Sequence, residues 1–110
     1  MSLLDLFFPR KCPYCLKLVE KGRLECDKCR SEFPKEPYIR TIPSGNECVS
    51  AFMYDSKIRD ALARYKFRGK REFYKSFGAV LANAVAESEI IADMVTSVPL
   101  SKKRLHMRGY

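Results

Sequence analysis

The sequence predicts a mixed α/β chain: a small four-cysteine module at the front, then the opening part of an α/β layer. Three observations predict it. Two C-x-x-C pairs, Cys12–Cys15 and Cys26–Cys29, lie close together near the start. A stretch holding Pro34, Pro37, Pro43, Ser44, Gly45 and Asn46 then interrupts the chain. Beyond that break the apolar pattern runs strand, helix, helix, strand, the order of an α/β layer.

Residues 2–8 read as one or two helical turns. Ser2 followed by Asp5 resembles a capping box with Asp in place of Glu, and Pro9 ends the turn. Leu3, Leu4, Phe7 and Phe8 give an apolar face, expected to pack on the rest of the fold. A membrane-surface anchor is the alternative, weakened because the segment is short and has no basic residue beside it until Arg10.

Each C-x-x-C pair places two sulfurs on one side of a tight turn. Two such turns facing each other present four thiolates in a tetrahedron, which suits structural zinc. Two disulfides or four free thiols are the competing readings. Leu16, Leu18, Val19, Leu24 and Phe33 are too few for a core. The metal is therefore expected to supply much of the folding free energy, on the order of 10 kcal/mol. No segment reaches the ~18 apolar residues of a membrane span, and the opening lacks the basic start and long apolar run of a signal peptide. The thiols are thus expected in a reducing cytoplasm, which again favours metal over disulfides. Cys48 is expected to be a small buried hydrophobe, because four cysteines already complete the shell.

The expected organisation is a helical turn plus zinc module over 1–36, a linker over 37–47, and an incomplete α/β domain over 48–110. Residues 48–54 read as a strand. Asp55 or Ser56 caps a helix over 56–67, with Ile58, Ala61, Leu62 and Tyr65 on one face and Gly69 as the stop. A second helix over 72–88 carries Phe73, Phe77, Val80, Leu81, Ala84 and Val85 on one side. A strand over 94–99 closes at Pro99, and residues 100–110 form a basic end. Two strands do not make a stable sheet under two helices, so the chain is expected to be the front of a longer protein.

The formal charge is +8. Four thiolates with Zn²⁺ sum to −2, which leaves about +6. A basic chain favours polyanions, either nucleic acid or a phosphorylated small molecule. One candidate patch is Arg64, Lys66, Arg68, Lys70 and Arg71, interleaved with Tyr65 and Phe67. Cations there would track phosphates and aromatics would stack on bases. The competing reading is a solvated helix end whose cations suit the helix dipole, with Tyr65 in the core. The second patch is Lys102, Lys103, Arg104, His106 and Arg108. Arg104 and Arg108 can bind phosphate bidentately, and Gly109 lets backbone approach a ligand. The competing reading is a disordered basic tail. His106 reads as a surface histidine, and Glu87, Glu89 and Asp93 suggest no acid–base pair.

The Leu-rich opening ending in Pro9 and the four-cysteine module are joined by three further motifs. These are Tyr65-Lys66-Phe67-Arg68-Gly69-Lys70, Val98-Pro99-Leu100-Ser101 and Arg108-Gly109-Tyr110. Together they resemble the ComF family of bacterial competence-type proteins, which join an N-terminal zinc finger to a type I phosphoribosyltransferase-like domain. The resemblance implies the front part of such a domain here. It also implies a role in DNA uptake or DNA handling, with single-stranded DNA or a helicase-type competence protein as partner. In a full-length parent it implies phosphoribosyl pyrophosphate bound with Mg²⁺. The family's Asn-Gln after the aromatic does not occur in this sequence. Nor does its phosphoribosyl pyrophosphate loop, two acidic residues and a Thr-Thr-Gly turn, so no turnover is expected of these 110 residues. The alternatives are an amidophosphoribosyltransferase-like enzyme of nucleotide metabolism and a purely structural zinc-stapled docking domain.

Overall fold

The computed structural model describes residues 3–110, so Ser2 and its capping box lie outside the described residues. Helix α1 spans Leu3–Phe7. The chain then forms a short hairpin: Val19 N–H donates to Arg10 O at 3.0 Å and Cys12 N–H to Lys17 O at 2.8 Å. The Lys11–Leu18 bridge joins its two sides. Leu16 N–H closes the tip onto Cys12 O at 2.9 Å, which holds Leu16 at φ 63°. Helix α2, Asp27–Ser31, is a short helix where the C-x-x-C spacing predicts a tight turn.

The connection expected over 37–47 contains a strand. Strands β1, Tyr38–Thr41, and β2, Glu47–Ser50, pair antiparallel in the register Tyr38–Ser50 to Thr41–Glu47. The prolines that suggested a linker sit outside the ladder, Pro37 before β1 and Pro43 in the turn, where a missing N–H does no harm. The turn closes with Ile42 N–H on Asn46 O at 2.9 Å, and Gly45 takes φ +88°. The strand expected over 48–54 is therefore shorter and begins one residue earlier.

Helix α3, Ser56–Phe67, has the expected bounds. Asp55 caps it, its side chain accepting from Ile58 N–H at 2.8 Å, and Gly69 at φ +70° follows its end. A 3₁₀ turn over Arg71–Phe73 leads into α4, Tyr74–Glu87. Phe73 and Ala84 are buried on the expected face, whereas Leu81 and Val85 remain exposed.

Two expectations fail in the last twenty residues. Residues 94–99 join no ladder among the described residues, and Met94, Val95 and Val98 are exposed. β-Branched residues such as Val95, Thr96 and Val98 favour a strand only where a neighbour offers hydrogen bonds and packing, and the sheet here has two strands, β1 and β2. The basic end is neither loop nor tail but helix α5, Lys102–Arg108. Ser101 caps it by accepting from Arg104 N–H at 3.2 Å, and Gly109 at φ +82° is its left-handed C-terminal stop.

The core forms around Tyr14, whose ring meets Phe33, Phe52 and Phe77 edge-on at 5.1, 5.8 and 5.9 Å. Cys12, Cys29 and Ala61 are buried in the same cluster. The cysteine module and the segment beyond the prolines therefore share one interior. The apolar face of α1 does not join it. Its leucines and phenylalanines are exposed, contrary to the expected packing, because Asp5 is the side chain it turns toward the module, paired with Lys21 at 3.9 Å.

Candidate metal centre

The first hairpin presents Cys12 and Cys15, and the start of α2 presents Cys26 and Cys29. Cys26 is itself the N-cap of α2: its sulfur accepts from Cys29 N–H at 3.4 Å. That bond explains why this sulfur points inward along the helix end. All four sulfurs lie within 4.8 Å of one another. Cys15 Sγ and Cys26 Sγ are 3.6 Å apart. A tetrahedron with Zn–S bonds of about 2.3 Å has edges of about 3.8 Å, whereas a disulfide needs about 2.05 Å. The spacing fits a shared ion, and all five cysteines are free thiols. Four soft donors without a carboxylate or water position fit a closed structural site better than a catalytic one. Cys48 lies outside the cluster and is half-buried.

The thiols differ in proton affinity. The Cys29 backbone N–H, bonded to the Cys26 sulfur, holds Cys26 down at about 7. Burial pushes Cys29 up to about 12 and also raises Cys15. Lys57, from the first turn of α3, lowers the proton affinity of Cys29 against the larger effect of burial, and pairs with Glu32 Oε2 at 2.5 Å. That contact raises the Lys57 pKa and lowers that of Glu32. An ammonium near a zinc tetrathiolate would offset part of its −2 charge.

A shell of contacts holds the cysteine loops in place. Arg64 of α3 donates to Pro13 O at 2.9 Å and reaches Tyr14 O at 3.5 Å, fastening the first C-x-x-C turn. Buried Ser76 of α4 donates to Glu25 Oε2 at 2.9 Å and lies 3.5 Å from the Tyr14 hydroxyl. Burial raises the Tyr14 pKa to about 12, and Arg30 pairs with Glu25 at 3.7 Å. Sequence reasoning missed Tyr14, Glu25, Lys57 and Arg64 as supports. Only Tyr14, an aromatic inside a C-x-x-C turn, carried a local signal.

Residues 3–40 match the double zinc ribbon domain. The match covers the ribbon and about a third of the chain, and it is consistent with a ComF-like zinc module at the N-terminus. No curated protein and no solved structure matches. Structural zinc takes four ligands per ion. Five cysteines and one histidine cannot furnish two such shells, so this ribbon has donors for one ion.

The two basic patches, far apart in sequence, meet at the end of α3. The Tyr110 ring packs at a tilt against Tyr65 at 5.6 Å and its hydroxyl donates to Tyr65 O. The Arg71 guanidinium lies 5.9 Å from the centre of the Tyr110 ring, and that of Arg108 lies 5.9 Å from the Phe67 ring. Lys66, Arg68, Lys102, Lys103, Arg104 and Gly109 are exposed, and Lys70 is half-buried. Arg64 leaves this face, since its guanidinium is turned to the ribbon. Tyr65, expected in the core, is half-buried and packs on Phe77 at 5.6 Å. His106 is exposed on α5, and no helix among the described residues is long and apolar enough to cross a membrane.

Proposed function

We propose that the chain is a zinc-stapled, ComF-like module whose cationic end binds single-stranded nucleic acid in a DNA-handling protein. The observation that carries the reading is the meeting of two basic runs around exposed Phe67 and half-buried Tyr110. Lys66, Arg68, Lys70 and Arg71 supply one side, and Lys102, Lys103, Arg104 and Arg108 the other. Cations at such a surface track phosphates, and an aromatic face accepts a base of any sequence. Zn²⁺ on Cys12, Cys15, Cys26 and Cys29 is structural: it holds the ribbon against α3 and α4 and takes no part in a reaction. A site of four unoxidised thiols supports a cytoplasmic location. In a longer parent, the motifs at Val98–Leu100 and Arg108–Tyr110 support phosphoribosyl pyrophosphate binding with Mg²⁺, in a phosphoribosyltransferase-like domain that these residues begin.

Fluorescence anisotropy with a labelled oligothymidine across a salt series tests the nucleic-acid reading. Affinity falls linearly with salt on logarithmic axes, and reversing Arg68, Lys70 and Arg71 to Glu weakens it by about tenfold or more while zinc content is unchanged. No binding at low salt, or affinity indifferent to the reversal, removes the reading.

A further inference from the structure

Helix α1 is inside-out for a helix that belongs to a core. At about 100° per residue, Leu3, Leu4, Leu6 and Phe7 occupy one broad arc, and Asp5 falls roughly opposite its middle. Phe8 continues the turn, its N–H donating to Leu4 O at 2.8 Å. A helix packed on its own protein turns such an arc inward. Here Asp5 faces the protein through Lys21, and the apolar side chains are 69–78% exposed. Five large apolar side chains within six residues make a contiguous patch, not scattered surface hydrophobes.

The fold adds a cation beside those that follow this patch in the sequence. Arg10 and Lys11 follow it directly. The hairpin lays Lys17 and Leu18 alongside Arg10 and Lys11, through the Cys12–Lys17 and Arg10–Val19 backbone bonds. Leu18 is 66% exposed. An exposed apolar arc followed directly by Arg10 and Lys11, with Lys17 across the hairpin from them, on a chain of net charge +8, has the chemistry of an interfacial helix on a negative surface. Hydrocarbon takes the leucines and phenylalanines, and anionic headgroups take the cations.

We propose that α1 and the first cysteine hairpin form a peripheral docking patch for an anionic lipid bilayer. The apolar arc lies in the headgroup boundary, and the metal-bound hairpin acts as a rigid mount. A short patch of this kind gives reversible attachment rather than a permanent anchor.

Vesicle flotation of the full zinc-loaded chain tests it. One set of vesicles is phosphatidylcholine alone; the other contains phosphatidylglycerol at about one part in three. The protein floats with the anionic set, floats about tenfold less with the neutral set, and is released by high salt. The double variant Leu4→Ser/Phe7→Ser loses about tenfold or more in partition while keeping its zinc, which shows that the ribbon is still folded. Lys11→Gln/Lys17→Gln weakens flotation on the anionic set alone. Absence of the wild type from the floating fraction overturns the proposal, as does equal flotation on both vesicle sets. Undiminished flotation of the Leu4/Phe7 variant would assign attachment to the general positive charge. A wild-type dimer in sedimentation equilibrium that this variant dissociates, with no flotation, would assign the patch to a second copy of the chain.

Discussion

At the residue scale the four sulfurs share one site but hold their protons unequally. A backbone N–H bonded to its sulfur holds Cys26 down at about 7, whereas half-buried Cys15 and buried Cys29 are raised by desolvation, Cys29 to about 12. At neutral pH the metal-free chain therefore keeps protons on Cys15 and Cys29, and zinc must expel them. Protons compete with metal, so apparent zinc affinity rises with pH and falls in acid. Each proton expelled contributes about tenfold per pH unit. Competition with a coloured chelator between about pH 6 and about pH 8 should show affinity rising by roughly a hundredfold or more per unit. A flat profile would mean that these thiols are not the ligands. The ligands were legible in the sequence because C-x-x-C spacing is a local rule. Their supports were not: Arg64 reaches Pro13 across 51 positions, and Ser76 reaches Tyr14 across 62. No spacing rule links residues so far apart.

At the scale of elements, α3 is the member that joins the ribbon to the rest. Its bounds were readable from Asp55, the apolar spacing and Gly69, since caps and periodicity are written into adjacent residues. Its inward arginine was not, because Arg64 sits in a basic run that reads as surface. Replacing Arg64 with Met removes a charged donor and strands the Pro13 carbonyl, a cost of about 1.5–3 kcal/mol. The urea midpoint of the zinc-loaded protein should fall accordingly, with oligothymidine affinity little changed because Arg64 lies off the cationic face. An unchanged midpoint would show that α3 does not fasten the ribbon. Helix α5 was obscured by its composition: Ser101 and Gly109 are a helix start and stop, yet the cations between them read as a phosphate loop or tail. The expected strand at 94–99 failed for the converse reason. Its β-branched content is a local signal, but a strand is completed by a partner. Strand β1 was hidden by prolines that fall just outside its ladder.

At the scale of the whole molecule, the ribbon and the helices form one structure through Tyr14, with the cationic end and α1 displayed on its surface. The mixed helix and strand content was anticipated; the two-stranded antiparallel arrangement was not, since pairing partners are a property of the full chain. Everything displayed depends on the staple, because Cys12 and Cys29 are themselves core residues packed with Tyr14 and Ala61. Elemental analysis of the purified chain, paired with a count of reactive thiols, tests this most directly. The account predicts one zinc per chain and a single readily titrated thiol, Cys48, until a chelator exposes the other four. A metal-free protein with Cys12, Cys15, Cys26 and Cys29 oxidised to one another would contradict it.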